Sequence, residues 1–387
     1  MNRPGRRLVA AVVLLPAVML AAGCAAAPTA SAPATQAPPP SPSLNTSLDT
    51  AAGTWAAVAM GGSAAQYNNF WQLFIRPAGS TRWKLVTPPG TADNGGLVLA
   101  GGGPELITGF RPSQDLTFTP LIQTSDGGQA WASLNPLDAA LASAPDALAA
   151  KPGSGQLLAL LADGSVQEAA PGNATWTGLA SQQALAATPA GRSCGLQSLT
   201  AAAFTPAGLP VLAGSCTRPG TAGIFTAGNG TWQAAGPALP AALAGQAVTV
   251  SRLTRTAQGM TALLQAGTGP RASLLAAWSA DGGHWTVSPP LLLHGGALTS
   301  ASFGPDATAA IITSANRGQI ITSTGSSWQP LPALPPGTAT LAPGPGGTAD
   351  ALAVHGGTLT IWQLASGGST WAKIQVINVA IPYGSSS

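Results

Sequence analysis

Arg111, Arg218, Arg271 and Arg317 recur just after short apolar runs, and Tyr67 and His355 hold matching places elsewhere in the chain. A guanidinium offers a planar fork of N–H donors that fits a carboxylate or a phosphate. Gathered on one rim, these side chains would bind an acidic glycan or another envelope polyanion. The plain alternative is that loops are where charge is solvated. The remaining polar residues do not assemble a reaction centre. The only Glu residues are Glu105 and Glu168, and the only Tyr residues are Tyr67 and Tyr383. Asp115 and Asp163 lie near the Arg-bearing segments, but nothing pairs two carboxylates across a cleft, as glycoside hydrolysis requires. The three His never cluster with acids and no CxxC is present, so no zinc or redox site is expected. P-loop, dinucleotide-binding and Ser-His-Asp patterns are lacking too. The expectation is a chain with no catalytic residue, no metal and no cofactor.

The elements that must position these residues begin after a leader. Arg3, Arg6 and Arg7 precede an apolar run from Leu8 to Ala22, which fits a signal-peptide core and is short for a spanning helix. The run ends Leu20-Ala21-Ala22-Gly23-Cys24. This resembles the lipobox of bacterial lipoproteins, although Ala21 stands where that motif usually has Leu. The resemblance implies cleavage before Cys24, lipid on that residue, and an extracytoplasmic protein held on the cell membrane. An uncleaved anchor and ordinary secretion are the alternatives. Residues 24–48 are rich in Ala, Pro, Ser and Thr and read as a disordered tether. The division expected is therefore signal peptide 1–23, tether 24–48 and folded body 49–387.

Removing the leader changes the charge argument. Three of the fifteen Lys and Arg leave with it, so the rest carries twelve basic and twelve acidic residues. The basic pI is a property of the leader and gives no reason to expect nucleic acid. Low charge with abundant Ala, Gly, Thr and Pro favours many short strands over helices, which carry Glu and Lys on their wet faces. Two Ala-rich stretches, 137–150 and 237–247, could form helices between blades, and nothing else rests on them. Beyond Cys24, only Cys194 and Cys216 remain. In an oxidising compartment this pair is expected to form a disulfide, worth about 3 kcal/mol for such a loop; two buried free thiols are the alternative. A monomer is expected.

The body repeats. Trp83, Trp131, Trp176, Trp232, Trp285, Trp328 and Trp371 each follow a polar Gly/Ser turn, at intervals of 43 to 56 residues and a mean of 48. A period of this length, with four short Ile-, Thr- and Ala-rich runs per unit, predicts an all-β, seven-bladed β-propeller of four-stranded antiparallel blades. In each unit the Trp opens the fourth strand. The first unit lacks a first strand before Gly53. The run after Trp371 is long enough to supply it and so close the ring; residues 44–50 are the other source. In this frame Arg111, Arg218, Arg271, Arg317, Tyr67 and His355 all fall between the second and third strands of their blades. Trp55, Trp71, Trp278 and Trp362 fall within strands and read as packing between blades.

Two turns carry a fuller pattern: Thr124-Ser125-Asp126-Gly127-Gly128-Gln129-Ala130-Trp131, and Ser279-Ala280-Asp281-Gly282-Gly283-His284-Trp285, one residue shorter. They resemble the Asp-box of sialidase-like (BNR-repeat) propellers. The positions that match are Thr124, Asp126, Gly128 and Trp131, and Ser279, Asp281, Gly283 and Trp285. Their expected role is structural: Asp and the hydroxyl bond turn N–H groups, Gly takes positive φ, and Trp packs on the sheet. Similar propellers occur in photosystem II assembly factors and sortilin-type receptors, so the resemblance implies fold more than activity. A sialidase would need a Tyr nucleophile with a Glu beside it and an Asp acid, and the few acids here do not supply that set. The expected function is a lipid-anchored, non-catalytic binding or assembly scaffold with a glycan or envelope protein as partner. A sialidase-like glycoside hydrolase is the alternative.

Overall fold

The computed structural model describes residues 45–61, 69–88, 97–102, 105–110, 121–133, 145–170, 176–228 and 230–380. These residues form antiparallel meanders. Four-stranded sheets span residues 46–85, 97–133, 147–181, 298–330 and 338–378. A nine-stranded sheet spans 196–292 and joins two further meanders where Ser215 and Cys216 pair with Thr249 and Val248. The units read from the sequence are present. One runs Leu298–Phe303, Ala309–Thr313, Gly318–Ile321 and Gln329–Pro330; the next runs Thr338–Pro343, Ala349–His355, Thr358–Leu364 and Ala372–Asn378.

The core lies between sheets. Trp55 and Leu73 pack with Leu97 and Trp131 of the next meander. Val211 and Ile224 pack with Val250 and Leu264, and Leu274 and Trp278 pack with Phe303 and Ile311. The series returns on itself, because Val58, Phe74 and Trp83 of the first sheet pack with Leu352, Ile361 and Val379 of the last. The meanders therefore stand around a common axis, each burying both faces. Abundant buried Ala lets neighbouring sheets approach closely, which is why so apolar a chain has few large core residues.

The first strand of the first sheet is Thr46–Thr50, in full register with the strand Gly53–Gly61. The run Ala372–Asn378 stays as the outer strand of the last sheet, so the ring is not closed by strand exchange. The folded body also takes in Thr46–Leu48, ahead of residue 49, where the sequence placed its start. The reason lies in hydroxyls that bond distant sheets. Thr46 Oγ1 donates to Ala301 O at 2.8 Å, Ser47 N donates to Ser302 Oγ at 2.9 Å, and Ser47 Oγ donates to Leu341 O at 3.1 Å. These contacts seat the strand at the hub, against the inner strands of the two last sheets.

The Ala-rich stretches are not helices where described: Ala147–Ala150 is a strand and Ala241–Leu243 a single 3-10 turn. The helices are Gln182–Ala186 and Pro189–Cys194, capped by Ser181 and Thr188, whose side chains accept from Ala184 N and Gly191 N. Pro189 supplies a preset first turn, and Gly195 at φ +65° ends the second helix in the left-handed region. Cys194 and Cys216 are joined in a disulfide, with Cα atoms 5.2 Å apart. No helix among the described residues is long and apolar enough to cross a membrane.

Candidate functional site

Among the described residues, the links between second and third strands leave one end of the sheets. Arg218 lies in the link from Pro210–Cys216 to Gly223–Gly228, Arg271 in that before Ser273–Ser279, and Arg317 in that before Gly318–Ile321; His355 ends the strand Ala349–His355. All four are exposed. None of these Arg forms an ion pair with a described acid. Arg218 is held by its backbone, whose N–H donates to Cys194 O at 2.9 Å, so the disulfide fixes that part of the rim. Arg111, Tyr67 and Cys24 lie outside the described residues, as do Asp115 and Tyr383.

The acids near this frame have local duties. Asp163 Oδ1 accepts from Ser165 N at 2.8 Å and Ser165 Oγ at 2.6 Å, and these bonds hold its carboxyl below the usual range. Glu168, in the strand Ser165–Ala169, accepts from Gln156 Nε2 at 3.1 Å, and Glu105 begins the strand Glu105–Phe110 at the other end of its sheet. No group of three His, Cys, Asp or Glu among the described residues could hold a metal.

Both Asp-box-like turns spend their carboxylates on backbone. Asp126 Oδ1 accepts from Gln129 N and Ala130 N, at 2.9 and 3.0 Å, while Gly128 N donates to Thr124 Oγ1 at 3.0 Å. In the shorter turn the same fan closes one residue earlier, with Gly283 N and His284 N each 2.8 Å from Asp281 Oδ1. The His284 N–H and imidazole beside Asp281 hold its carboxyl well below the usual range, and Asp281 in turn raises His284. Each Trp that follows reaches to the preceding meander. Trp285 Nε1 donates to Ala235 O at 2.7 Å, Trp328 Nε1 to Pro289 O at 3.1 Å and Trp371 Nε1 to Pro332 O at 3.4 Å. Trp131 instead meets Trp55 edge to face, with centroids 6.5 Å apart.

The opposite end of the sheets holds a cavity of about 400 Å³ that the sequence reading did not foresee. It opens among the turns between first and second strands and is walled by the hub strand. Asp49, Thr50, Arg252, Arg255 and Phe303 are among its lining residues. A smaller pocket shares Leu48, Gly101, Arg252 and Arg255 and runs along the inner strands. Arg252 is only 8% exposed, and burial lowers its guanidinium to about 10. Its Nη1 donates to Thr46 Oγ1 and to Ala301 O, and no described carboxylate pairs with it. Asp49 Oδ1 accepts from Thr54 Oγ1 at 2.5 Å, while its buried Oδ2 has no partner among the described residues. Burial pushes this carboxyl up to about 6, against the opposing pull of Thr54 and Arg76. The available signal was two Arg inside one strand, Val248–Thr256, which belong on a channel wall or nowhere.

No protein-family model matches the chain, and no curated protein matches it. Solved structures do. The chain is similar to the β-propeller domain of Cps50 (Swd1) from Myceliophteria thermophila, at 13% identity and a TM-score of 0.52, covering 84% of this chain and 98% of that one. It is similar to the periplasmic gluconolactonase PpgL of Pseudomonas aeruginosa, at 12% identity and a TM-score of 0.50, covering 85% and 97%. Likeness at such identities shows the fold alone: the chain is a β-propeller, and its sheets are the blades.

Proposed function

We propose that this protein is a non-catalytic binding or assembly scaffold outside the cytoplasm, a seven-bladed propeller anchored by lipid at Cys24 and binding acidic glycans or envelope polyanions through its rim. The observation that carries the reading is the set of exposed, unpaired Arg218, Arg271 and Arg317, with His355, on links between second and third strands. By sequence Arg111 and Tyr67 take the same place in two other blades. Strand direction adds support. Asn45 precedes the first strand of its blade and so lies at the rim end, where its Oδ1 accepts from Ala59 N at 2.8 Å. An anchored chain would therefore enter on the side that carries the cations. A sialidase-like hydrolase is the weaker reading, since Asp126 and Asp281 are occupied by their own turns.

The test is glycan-array binding of the purified body, with Arg111, Arg271 and Arg317 changed together to Ala. Loss of binding to acidic glycans in the triple variant is expected; binding that survives it overturns the rim. Mass spectrometry of membrane-extracted protein should find a diacylglyceryl group on Cys24, and an unmodified Cys24 in that fraction overturns the anchor.

A further inference from the structure

The cavity at the hub lies at the end of the sheets away from the rim, and none of the rim residues lines it. Two cations line it without an ion pair to a described carboxylate. Arg252 sits part-way along its strand, nine-tenths buried, and both its bonds leave from one terminal nitrogen. Arg255 stands three residues further along the strand, half-buried, with no ion pair to a described acid. Uncompensated buried charge is costly unless something else pairs with it. Arg252 and Arg255 stand on opposite faces of their strand and both line this one space, and a pair of guanidinium groups on one wall suits a carboxylate.

Asp49 refines the choice of anion. Its Oδ2 is a buried acceptor without a donor, on the same cavity wall. A buried unsatisfied acceptor in a native fold calls for a partner that supplies an O–H or N–H. A second negative charge beside Asp49 would be repelled, and Asp306 adds to the negative field there. A doubly charged phosphate is thus a poorer fit than a monocarboxylate. The space, about 400 Å³, falls within the range of small-molecule sites and accepts a molecule of monosaccharide size.

We propose that the hub cavity binds a small hydroxylated carboxylate, with Arg252 and Arg255 holding the carboxylate and Asp49 Oδ2 accepting from a hydroxyl. The hub strand Thr46–Thr50 thereby serves twice, as the first strand of its blade and as the wall that brings Asp49 to the ligand. Selectivity follows from the pairing. A neutral sugar would leave the arginines unmatched, and a carboxylate without a hydroxyl would leave Oδ2 unmatched.

The test is isothermal titration calorimetry of the full chain with glucuronate, against glucose and acetate. Saturable glucuronate binding is expected, with glucose and acetate each at least roughly tenfold weaker. Arg255→Ala, near the opening and away from the hydrogen bonds of Arg252, should weaken glucuronate by at least about tenfold while circular dichroism stays unchanged. Asp49→Asn should weaken glucuronate and leave acetate where it was. Changing Arg218, Arg271 and Arg317 to Ala should leave glucuronate binding intact, which separates this site from the rim. No saturable binding at about 10 mM glucuronate, equal binding by Arg255→Ala, or inorganic phosphate binding as tightly as glucuronate overturns the proposal. Should Arg255→Ala unfold, Arg255→Gln in the same titration decides the point, with unchanged affinity counting against the site.

Discussion

Asp350 and Asp49 are both withdrawn from water near the place where the first and last blades meet, yet their surroundings are opposite. Asp350 is saturated. Arg76 Nη1 lies 2.5 Å and Trp83 Nε1 2.8 Å from its Oδ2, and Gln363 Nε2 donates to Oδ1 at 3.2 Å. Asp49, which lines a cavity, has one partner, Thr54, and one buried oxygen without a donor among the described residues. Arginines are present in both regions, but only Arg76 is spent on its acid; Arg252 and Asp49 line one space without pairing. The difference separates a carboxylate that fastens the fold from one that the fold keeps open for something else.

Among the described residues, this fastening is found at one junction. At three other junctions Trp285, Trp328 and Trp371 donate to backbone carbonyls, and the chain itself links the two blades. Between the last blade and the first no peptide bond crosses. There the indole acceptor is an ionised side chain instead of a carbonyl, and Gln375 adds two bonds to Trp83, accepting from its N–H at 2.9 Å and donating to its O at 2.8 Å. Charge-assisted bonds are about twice as strong as neutral ones, so the chemistry is strongest where the covalent link is missing.

The contrast can be broken most severely at Asp350. Asp350→Ala strands Arg76 and should cost about 3–5 kcal/mol in urea unfolding, whereas Arg76→Met with Asp350→Leu should recover much of that loss. Equal losses in the single and double variants would show that charge pairing is not what holds the junction. Asp49→Asn should act with the opposite sign. A carboxyl raised from 3.8 to about 6 binds its proton more tightly when folded, so stability falls as pH rises through that window. The groups around it, Thr54, Arg76 and Asp306 with Arg252 and Arg255 across the cavity, remain in the variant. Asp49→Asn should therefore gain about 1–3 kcal/mol at pH 8 and nothing near pH 3.5 in ligand-free protein. A loss at pH 8 would refute an open, ligand-seeking carboxylate.

Smaller effects sharpen the comparison between junctions. Trp83→Phe gives up a bond to a charged acceptor and should cost about 2 kcal/mol, against about 1 kcal/mol for Trp328→Phe, which gives up a bond to a carbonyl. Matching losses would remove the distinction. The least effect is expected at the exposed Asp281–His284 pair, 2.6 Å apart. Proton NMR should find His284 titrating above 6.5, with the shift lost in Asp281→Ala while Trp285 keeps its bond to Ala235.

The repeat was legible because its signals are local. Trp after a Gly turn, Asp126 and Asp281 fanning onto N–H groups two to four residues on, and strands bounded by Gly and Pro all write themselves within a dozen residues. The hub strand was harder to read. Thr46–Thr50 reads TSLDT, short and without alternation, and it is a strand because Ala301, Ser302 and Leu341 receive it. The helix Pro189–Cys194 did carry its signs, Thr188, Pro189 and Gly195, but Ala content elsewhere drew the expectation away from it. Arg252 and Arg255 were visible as charges inside a strand. The empty side of Asp49 was not, since an unpaired oxygen is a property of everything that fails to reach it.

The hub strand also fixes an order of events. Synthesis delivers Thr46–Thr50 first, yet its partners Ala301, Ser302 and Leu341 arrive more than 250 residues later. Until then the strand has its hairpin with Gly53–Gly61 and the packing of Leu48 on Leu97, and its free edge stays available to wrong neighbours. Contacts of such separation slow folding, because a long loop must close before it is rewarded. The nascent blades can form one after another, but the ring locks only when its last members emerge, and the cavity at the hub comes into being at that same moment.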